Sequence, residues 1–394
     1  MRILLWHGYL LGGSGSNVYT RSIAREWSRQ GHEVVLFCQE SHVGPYDFGG
    51  AEVVRPRLPY KLLPVFVLDE YEGLDAKLLT DFTPAQRKAY VEANAEALRK
   101  HLPADLVFCN HVLMGAPVGA ATGARFAVKA HGSELEYALR PSPELSHWAA
   151  ETLPAADAVF VGSGHIHSVL EELVGPIEGV REVPPGVDVD AFRPRDRTEA
   201  LDSLRAEGVE LDDFFAQDGP VVLYVGKLLY NKGVHVLFEA MHGVDARTLV
   251  VGFGDYREEL EKLAPPGTVF TGRLEHNQLA PLLALVDVQV VPSIFPEAFG
   301  MVAAEAAGAG VPPLVARHSG LADVAEGLEA VYSEEYRHLA SFPNADAVAL
   351  GARLRELLAL PPDVRSELGA AARRAAVERW SWSSVAERLL EPFH

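Results

Sequence analysis

The sequence predicts an α/β fold built from two doubly wound halves, each a parallel sheet covered by helices. Short apolar runs alternate with amphipathic helical stretches along most of the 394 residues, the pattern of repeated βαβ units. That length is enough for two domains with full cores. Near the middle, REVPPGVDVDAFRP closes one set of units with a Pro-Gly turn at Val183 to Pro194, and a fresh strand starts at Val221.

Composition narrows the classes. With 48% hydrophobic and 23% charged residues the chain is an ordinary globular protein. No run approaches the roughly 18 uninterrupted apolar residues that a spanning helix needs. The opening MRILLWHGYLLGG passes from a short apolar run into a glycine loop without a small-residue cleavage site, so it reads as a first strand and a cytoplasmic location is expected. Cys38 and Cys109 end the apolar runs VVLFC and DLVFC and are expected to be buried thiols, too few for a disulfide framework or a Cys-based zinc site. The net charge of −19, from 35 basic and 54 acidic residues, argues against nucleic acid as a partner and against strong membrane association.

In chain order, Arg2 to Trp6 is the first strand. HGYLLGGSGSNVYTRSIAREWSRQGHEVVLFCQ then gives a glycine-rich loop, a helix with Val18, Ile23, Ala24 and Trp27 on one face, a helix-ending Gly31, and a strand over Glu33 to Cys38. The loop Gly12-Gly13-Ser14-Gly15 lacks the GxGxxG spacing of a dinucleotide fingerprint; it suits either a tight turn or an anion or hydroxylated ligand. Asp81 to His101 reads as a helix opened by Thr83-Pro84. Asp105 to Cys109 is a strand ending in Asn110-His111, and Phe126 to Ala130 one ending in His131-Gly132-Ser133-Glu134. Ligands of open parallel sheets bind at the carboxyl ends of strands, which makes His111 and His131 candidates; hydrogen-bonded structural histidines are the alternative. Asp157 to Gly162 is a further strand. The first domain is expected over 1–190 and an acidic connector with one helical segment over 191–217.

The second domain, expected over 218–375, opens with VGKLLYNKGVHVLFEAM. Lys227 at a strand end and Lys232 before Gly233 place two ammonium groups beside a helix start, a positive site suited to a diphosphate, unless both are solvated turn residues. Further βα units lead to VPSIFPEAFGMVAAEAAGAGVPPLVARHSGLADV, from Val291 to Val324. There Glu297 precedes a helix and Glu305 lies inside it. Gly300 lets the backbone approach a ligand, and the free N–H groups of the helix start can bind an anion. Glu305 is expected to look out on a face distinct from Val302, Ala303, Ala306 and Ala307. After Asp346 the chain is helical, and 376–394 is expected to end it as a separate amphipathic segment.

Taken together, Gly12-Gly13, His131-Gly132, Pro185-Gly186-Val187-Asp188, Lys227 with Lys232-Gly233, Gly252-Phe253-Gly254 and Glu297-x7-Glu305 make the chain resemble the retaining glycosyltransferases of family 4 over nearly its whole length. The resemblance implies a GT-B architecture of two Rossmann-like domains facing across a cleft, with segment 376–394 crossing back to the first. It implies transfer of a hexose from a nucleoside diphosphate sugar, a UDP- or GDP-sugar foremost, to a hydroxyl of a small polar or carbohydrate acceptor. No cofactor, metal or protein nucleophile is then required.

By the same resemblance Lys227 and Lys232 would hold the diphosphate and offset charge growing on the leaving group. Glu305 would accept from the ribose hydroxyls, Glu297 would hold the transferred sugar, and the N–H groups of Phe299 and Gly300 would lie near sugar or phosphate. The backbone at Arg273 and Leu274 would edge the base, His131 would meet the donor sugar, and Gly13 would lie near phosphate and acceptor. His111 and Ser14 are the acceptor-side candidates. The chain departs from the commonest family pattern at Lys227 for Arg, Ala298 for Gly, Pro185 for Asn, and Ser319-Gly320 for Gly-Gly. Two other readings compete: a non-catalytic binder of sugar nucleotides and, less favoured without GxGxxG, a dinucleotide-dependent oxidoreductase.

Overall fold

A computed structural model of the chain describes residues 1–12, 15–67, 71 and 73–394. In chain order the strands are β1 (Arg2–Trp6), β2 (Glu33–Phe37), β3 (Glu52–Val54), β4 (Leu62–Val65), β5 (Asp75–Leu78), β6 (Leu106–Asn110), β7 (Phe126–Lys129), β8 (Ala158–Val161), β9 (Val180–Glu182), β10 (Val221–Val225), β11 (Arg247–Val251), β12 (Thr268–Gly272), β13 (Val288–Val291), β14 (Pro313–Arg317) and β15 (Ser341–Pro343). They belong to two compact units, Met1–Pro184 with Val385–His394, and Pro185–Ser384.

The first unit has a seven-stranded sheet in the order β3-β2-β1-β6-β7-β8-β9, parallel throughout. Its central strands are buried on both faces, which is why LLW and LVFC read as continuous apolar runs rather than alternating ones. Strand order reverses between β1 and β6, a topological switch point at which the carboxyl ends leave a crevice. Strands β4 and β5 form a separate parallel pair that the sequence reading did not anticipate. The helix Pro84–Arg99 begins as expected: the Thr83 hydroxyl accepts from the Gln86 N–H, and the Gln86 side chain accepts from the Thr83 N–H.

The chain end belongs to this unit. The Trp27 indole N–H donates to the Ala386 carbonyl at 3.0 Å, Arg388 donates to the Glu182 carbonyl at 3.0 Å, and the Arg125 guanidinium lies 4.7 Å from the Phe393 ring centroid. Only Val385–His394 of the expected segment 376–394 is involved; Ala376 and Trp380 are buried in the core of the second unit.

The second unit has a six-stranded parallel sheet in the order β12-β11-β10-β13-β14-β15, with its switch point between β10 and β13. The split falls at Pro184/Pro185 instead of 190, because Val187 is tied to the second unit: its N–H donates to the Trp380 carbonyl at 2.6 Å and its carbonyl accepts from the Trp382 N–H at 3.3 Å. Residues 191–217 are also part of that unit and not a free connector. The helices Arg197–Ala206 and Asp212–Phe215 bury Ala200, Leu204, Phe214 and Phe215 in its core. Among the described residues no helix is long and apolar enough to cross a membrane.

Candidate functional site

In the second unit the candidate residues gather at the switch point. After β10 the chain turns through Lys227, whose carbonyl accepts from the buried Tyr224 hydroxyl at 2.8 Å while its side chain stays exposed. The Asn231 carbonyl then accepts from the Ile294 N–H at 3.0 Å, joining this loop to the one after β13. Gly233 has φ +70°, and a Cβ there would lie 1.9 Å from the Pro292 carbonyl oxygen, so only glycine allows the two loops to come this close. The result is a direct ion pair: Lys232 Nζ stands 2.5 Å from Glu297 Oε1, with side chains 30% and 22% exposed. Burial, and secondarily the Glu297 carboxylate, raise the Tyr224 phenol well above its ordinary range.

The loop after β13 ends at Gly300, which precedes the helix Met301–Gly308 with φ +108°. A Cβ at Gly300 would meet Leu321 Cδ2 at 2.4 Å. The expectation that Glu305 looks out on a face distinct from Val302, Ala303, Ala306 and Ala307 is corrected: the helix is instead enclosed from Ala303 to Gly308, and Glu305 is itself 5% exposed. Its Oε1 lies 3.3 Å from Nε2 of His276, whose ring is largely exposed. Phe299 packs its ring into the core, edge-on to Trp380 at 5.9 Å, leaving only its backbone for a ligand. Arg273 is exposed, its Nε 3.0 Å from Glu275 Oε1 and its guanidinium 6.0 Å from the Phe253 ring centroid, and Leu274 packs partly buried against the core.

The first unit has its own cluster at the β1/β6 switch point. His7 follows β1, His111 follows β6 and His131 follows β7. His111 is 2% exposed, with φ +70°, and its ring lies 4.7 Å from that of His131 and 5.7 Å from that of His7, centroid to centroid. Tyr9 and Phe66 stand at 5.1 and 5.2 Å on its other sides, and among the described residues neither of its ring nitrogens has a hydrogen-bond partner. His131 Nε2 donates to Asn110 Oδ1 at 2.9 Å, and His7 Nε2 is 2.8 Å from Asn17 Oδ1. With Nε2 protonated, a neutral His131 keeps the lone pair on Nδ1.

Beneath the cluster lies Glu134, fully buried. Its carboxylate accepts the N–H groups of Val112 at 2.9 Å, Leu113 at 3.0 Å and His131 at 3.0 Å, and so joins the loops that follow β6 and β7. Burial pushes the carboxyl up to about 8, against those three donors, which lower it. Burial lowers all three imidazoles: His7 to about 4, and His111 and His131 well below their ordinary value, helped at His111 by the neighbouring imidazoles and at His131 by Lys129. Lys129, buried and donating to the Val183 carbonyl at 2.6 Å, is lowered too, by burial first.

The structure therefore brings Lys232 and Glu297 into contact, sets Lys227, Gly300 and Glu305 around the same switch point, and groups His111 with His131 in the other unit. Gly13 and Ser14 lie outside the described residues. Sequence reasoning passed over His7, His276 and His318, and gave no role to Glu134 or to Ser319, the latter noted only as part of the Ser319-Gly320 departure. His7 had a legible signal, its place at the carboxyl end of the first strand.

Two family models match the chain, one described as "Glycosyl transferase 4-like domain" over residues 14–186 and one as "Glycosyl transferases group 1" over residues 212–375. A D-inositol 3-phosphate glycosyltransferase of Xylanimonas cellulosilytica is 28% identical over 96% of this chain and 91% of its own length. A GDP-mannose-dependent alpha-(1-6)-phosphatidylinositol monomannoside mannosyltransferase of Mycolicibacterium smegmatis is 26% identical over 71% of this chain and 72% of its own. Among solved structures, HepE of Anabaena in complex with UDP superposes with a TM-score of 0.71 at 16% identity, covering 99% of both chains. A sucrose-phosphate synthase of Thermosynechococcus elongatus does so at 0.66 and 21% identity, covering 99% of this chain and 97% of that one.

Proposed function

From the premise that the chain belongs to the family 4 glycosyltransferases and has their GT-B fold, we propose that it moves a hexose, with retention, from a UDP- or GDP-sugar to a hydroxyl of a small polar or carbohydrate acceptor. The observation that carries this reading is the Lys232–Glu297 contact at the second switch point. One partner is a cation placed for phosphate oxygens, and the other is a carboxylate that can only accept, as sugar hydroxyls require. Relatives lend support through their names, which specify GDP-mannose for the mannosyltransferase and UDP-glucose for another complex of HepE.

In the proposed reaction the acceptor oxygen bonds to the anomeric carbon as the bond from that carbon to the phosphate oxygen breaks. The electron pair leaves with the nucleoside diphosphate, whose phosphate oxygen takes the acceptor's proton. Lys232 and Lys227 offset the charge that develops there, a preorganised stabilisation needing neither metal nor cofactor. Glu297 orients the sugar, Glu305 takes the ribose hydroxyls, the N–H groups of Phe299 and Gly300 face sugar or phosphate, and the backbone at Arg273 and Leu274 edges the base. We assign His131 to substrate hydroxyls through Nδ1, with His111 on the acceptor side.

A panel of UDP- and GDP-sugars with mixed acceptor pools, read by mass spectrometry alongside thermal shifts, tests the proposal. It expects stabilisation by a nucleotide sugar and a hexose-sized mass gain on an acceptor. Stabilisation by NAD alone would point to the oxidoreductase, and saturable sugar-nucleotide binding without turnover to a non-catalytic binder.

A further inference from the structure

We propose that Ser319 is a positioning residue whose hydroxyl holds the Glu297 backbone, and with it the sugar-facing carboxylate, in place. The inference rests on the sugar-binding role proposed for Glu297. Ser319 opens the helix Ser319–Glu329 with φ +47°, a left-handed conformation that a side chain with Cβ adopts only at a cost in strain and that glycine adopts freely. A serine kept in a glycine conformation requires a compensating contact, and its hydroxyl supplies one.

That contact is a continuous chain of hydrogen bonds. His318 Nε2 lies 2.6 Å from the Ser293 carbonyl oxygen, which can only accept, so Nε2 carries the proton. In the neutral imidazole Nδ1 is then the acceptor, and the Ser319 hydroxyl donates to it at 3.0 Å. The lone pairs of Ser319 Oγ are left for the Glu297 N–H, which donates at 2.9 Å. From the other side the Glu297 carbonyl accepts the Gly320 N–H at 2.9 Å. Glu297 is therefore fixed through both backbone groups while its carboxylate lies against Lys232. Without the hydroxyl the Glu297 backbone keeps only its carbonyl tie to Gly320, while Ser293 and Ile294 stay held by His318 and Asn231, so the loosening falls on Glu297 itself.

Two substitutions that remove the hydroxyl but change the strain in opposite directions make the test. Ser319→Ala keeps the strained backbone, whereas Ser319→Gly relaxes it, so Ser319→Gly should melt higher by about 2–4 °C. If the hydroxyl positions Glu297, both variants lose kcat/KM alike, by roughly tenfold or more. In both, hydrogen–deuterium exchange at the Glu297 amide accelerates by about tenfold. Ser319→Asn, which tolerates the left-handed conformation and supplies an acceptor oxygen, should recover part of the activity.

The inference is overturned if exchange at Glu297 is unchanged, or if activity follows the melting order so that Ser319→Gly is active and Ser319→Ala is not. A wild-type protein that turns over no nucleotide sugar would overturn the proposed function instead. The exchange measurement would still decide whether the hydroxyl holds Glu297.

Discussion

Replacing Lys232 by alanine separates a catalytic cation from a structural one. Two unit charges 4 Å apart interact by ~1 kcal/mol in bulk water and ~4 kcal/mol at the effective dielectric of a protein surface. Lys232 keeps 30% of its side chain exposed, which places its effect on a developing phosphate charge between those limits. A loss of about 2–3 kcal/mol of transition-state stabilisation corresponds to roughly 30- to 150-fold in kcat/KM. The same substitution breaks the pair with Glu297, but a partly exposed pair is worth only about 0–1 kcal/mol to folding, so the melting temperature should fall by less than about 4 °C. Nucleoside diphosphate release and thermal melting of Lys232→Ala, Glu297→Ala and the double variant measure both. Because the two side chains act on one ligand, the double variant should lose less than the product of the single losses. Full activity in both single variants, or losses that track melting, would refute the assignment.

Three further outcomes follow from particular contacts. Glu305→Gln should raise the donor KM by about tenfold with little change in kcat, since a hydrogen bond to a charged group is worth about 1.5–3 kcal/mol and serves the ribose before and during reaction; steady-state kinetics with varied donor reads this. Gly300→Ala forces a side chain into φ +108° against Leu321 and should cost about 1–3 kcal/mol, seen as a lower melting temperature together with weaker nucleotide binding. His7, lowered to about 4, contributes stability that is full above the unfolded value near 6.5 and is lost as pH falls toward 4, because the unfolded chain takes up the proton first. Glu134, raised to about 8, has the opposite sign, its contribution declining as pH rises from 4.5 through 8. Melting of the wild type and of His7→Phe from pH 4 to 8 should show a shallower acid limb in the variant.

Much of this was legible in the sequence because chemistry and period coincide there. LLW, LVFC and VVLYV announce strands buried on both faces, and the lysines and acids of the second half stand out by type and spacing. Glu305 misled because an alanine-rich helix offers no contrast between faces; Ala303, Ala304, Ala306 and Ala307 fit a buried helix on every side. Residues 191–217 looked like a connector by their acidity, while Leu204, Phe214 and Phe215, spaced irregularly, anchor them in the core. Glu134 carries no signal of its own in the sequence, since its partners Val112 and Leu113 meet it only after two strands have paired. The role of Ser319 depends on a positive φ and on a loop more than twenty residues away, neither of which side-chain type reveals.

Stereochemistry at the anomeric carbon tests the proposed reaction most directly. Wild-type protein supplied with an α-linked UDP- or GDP-hexose and the acceptor found by mass spectrometry should give a product whose anomeric NMR coupling is that of an α-linkage, with nucleoside diphosphate released in equal amount and the signal lost in Lys232→Ala. A β-linked product, or sugar release without any transfer, would contradict it.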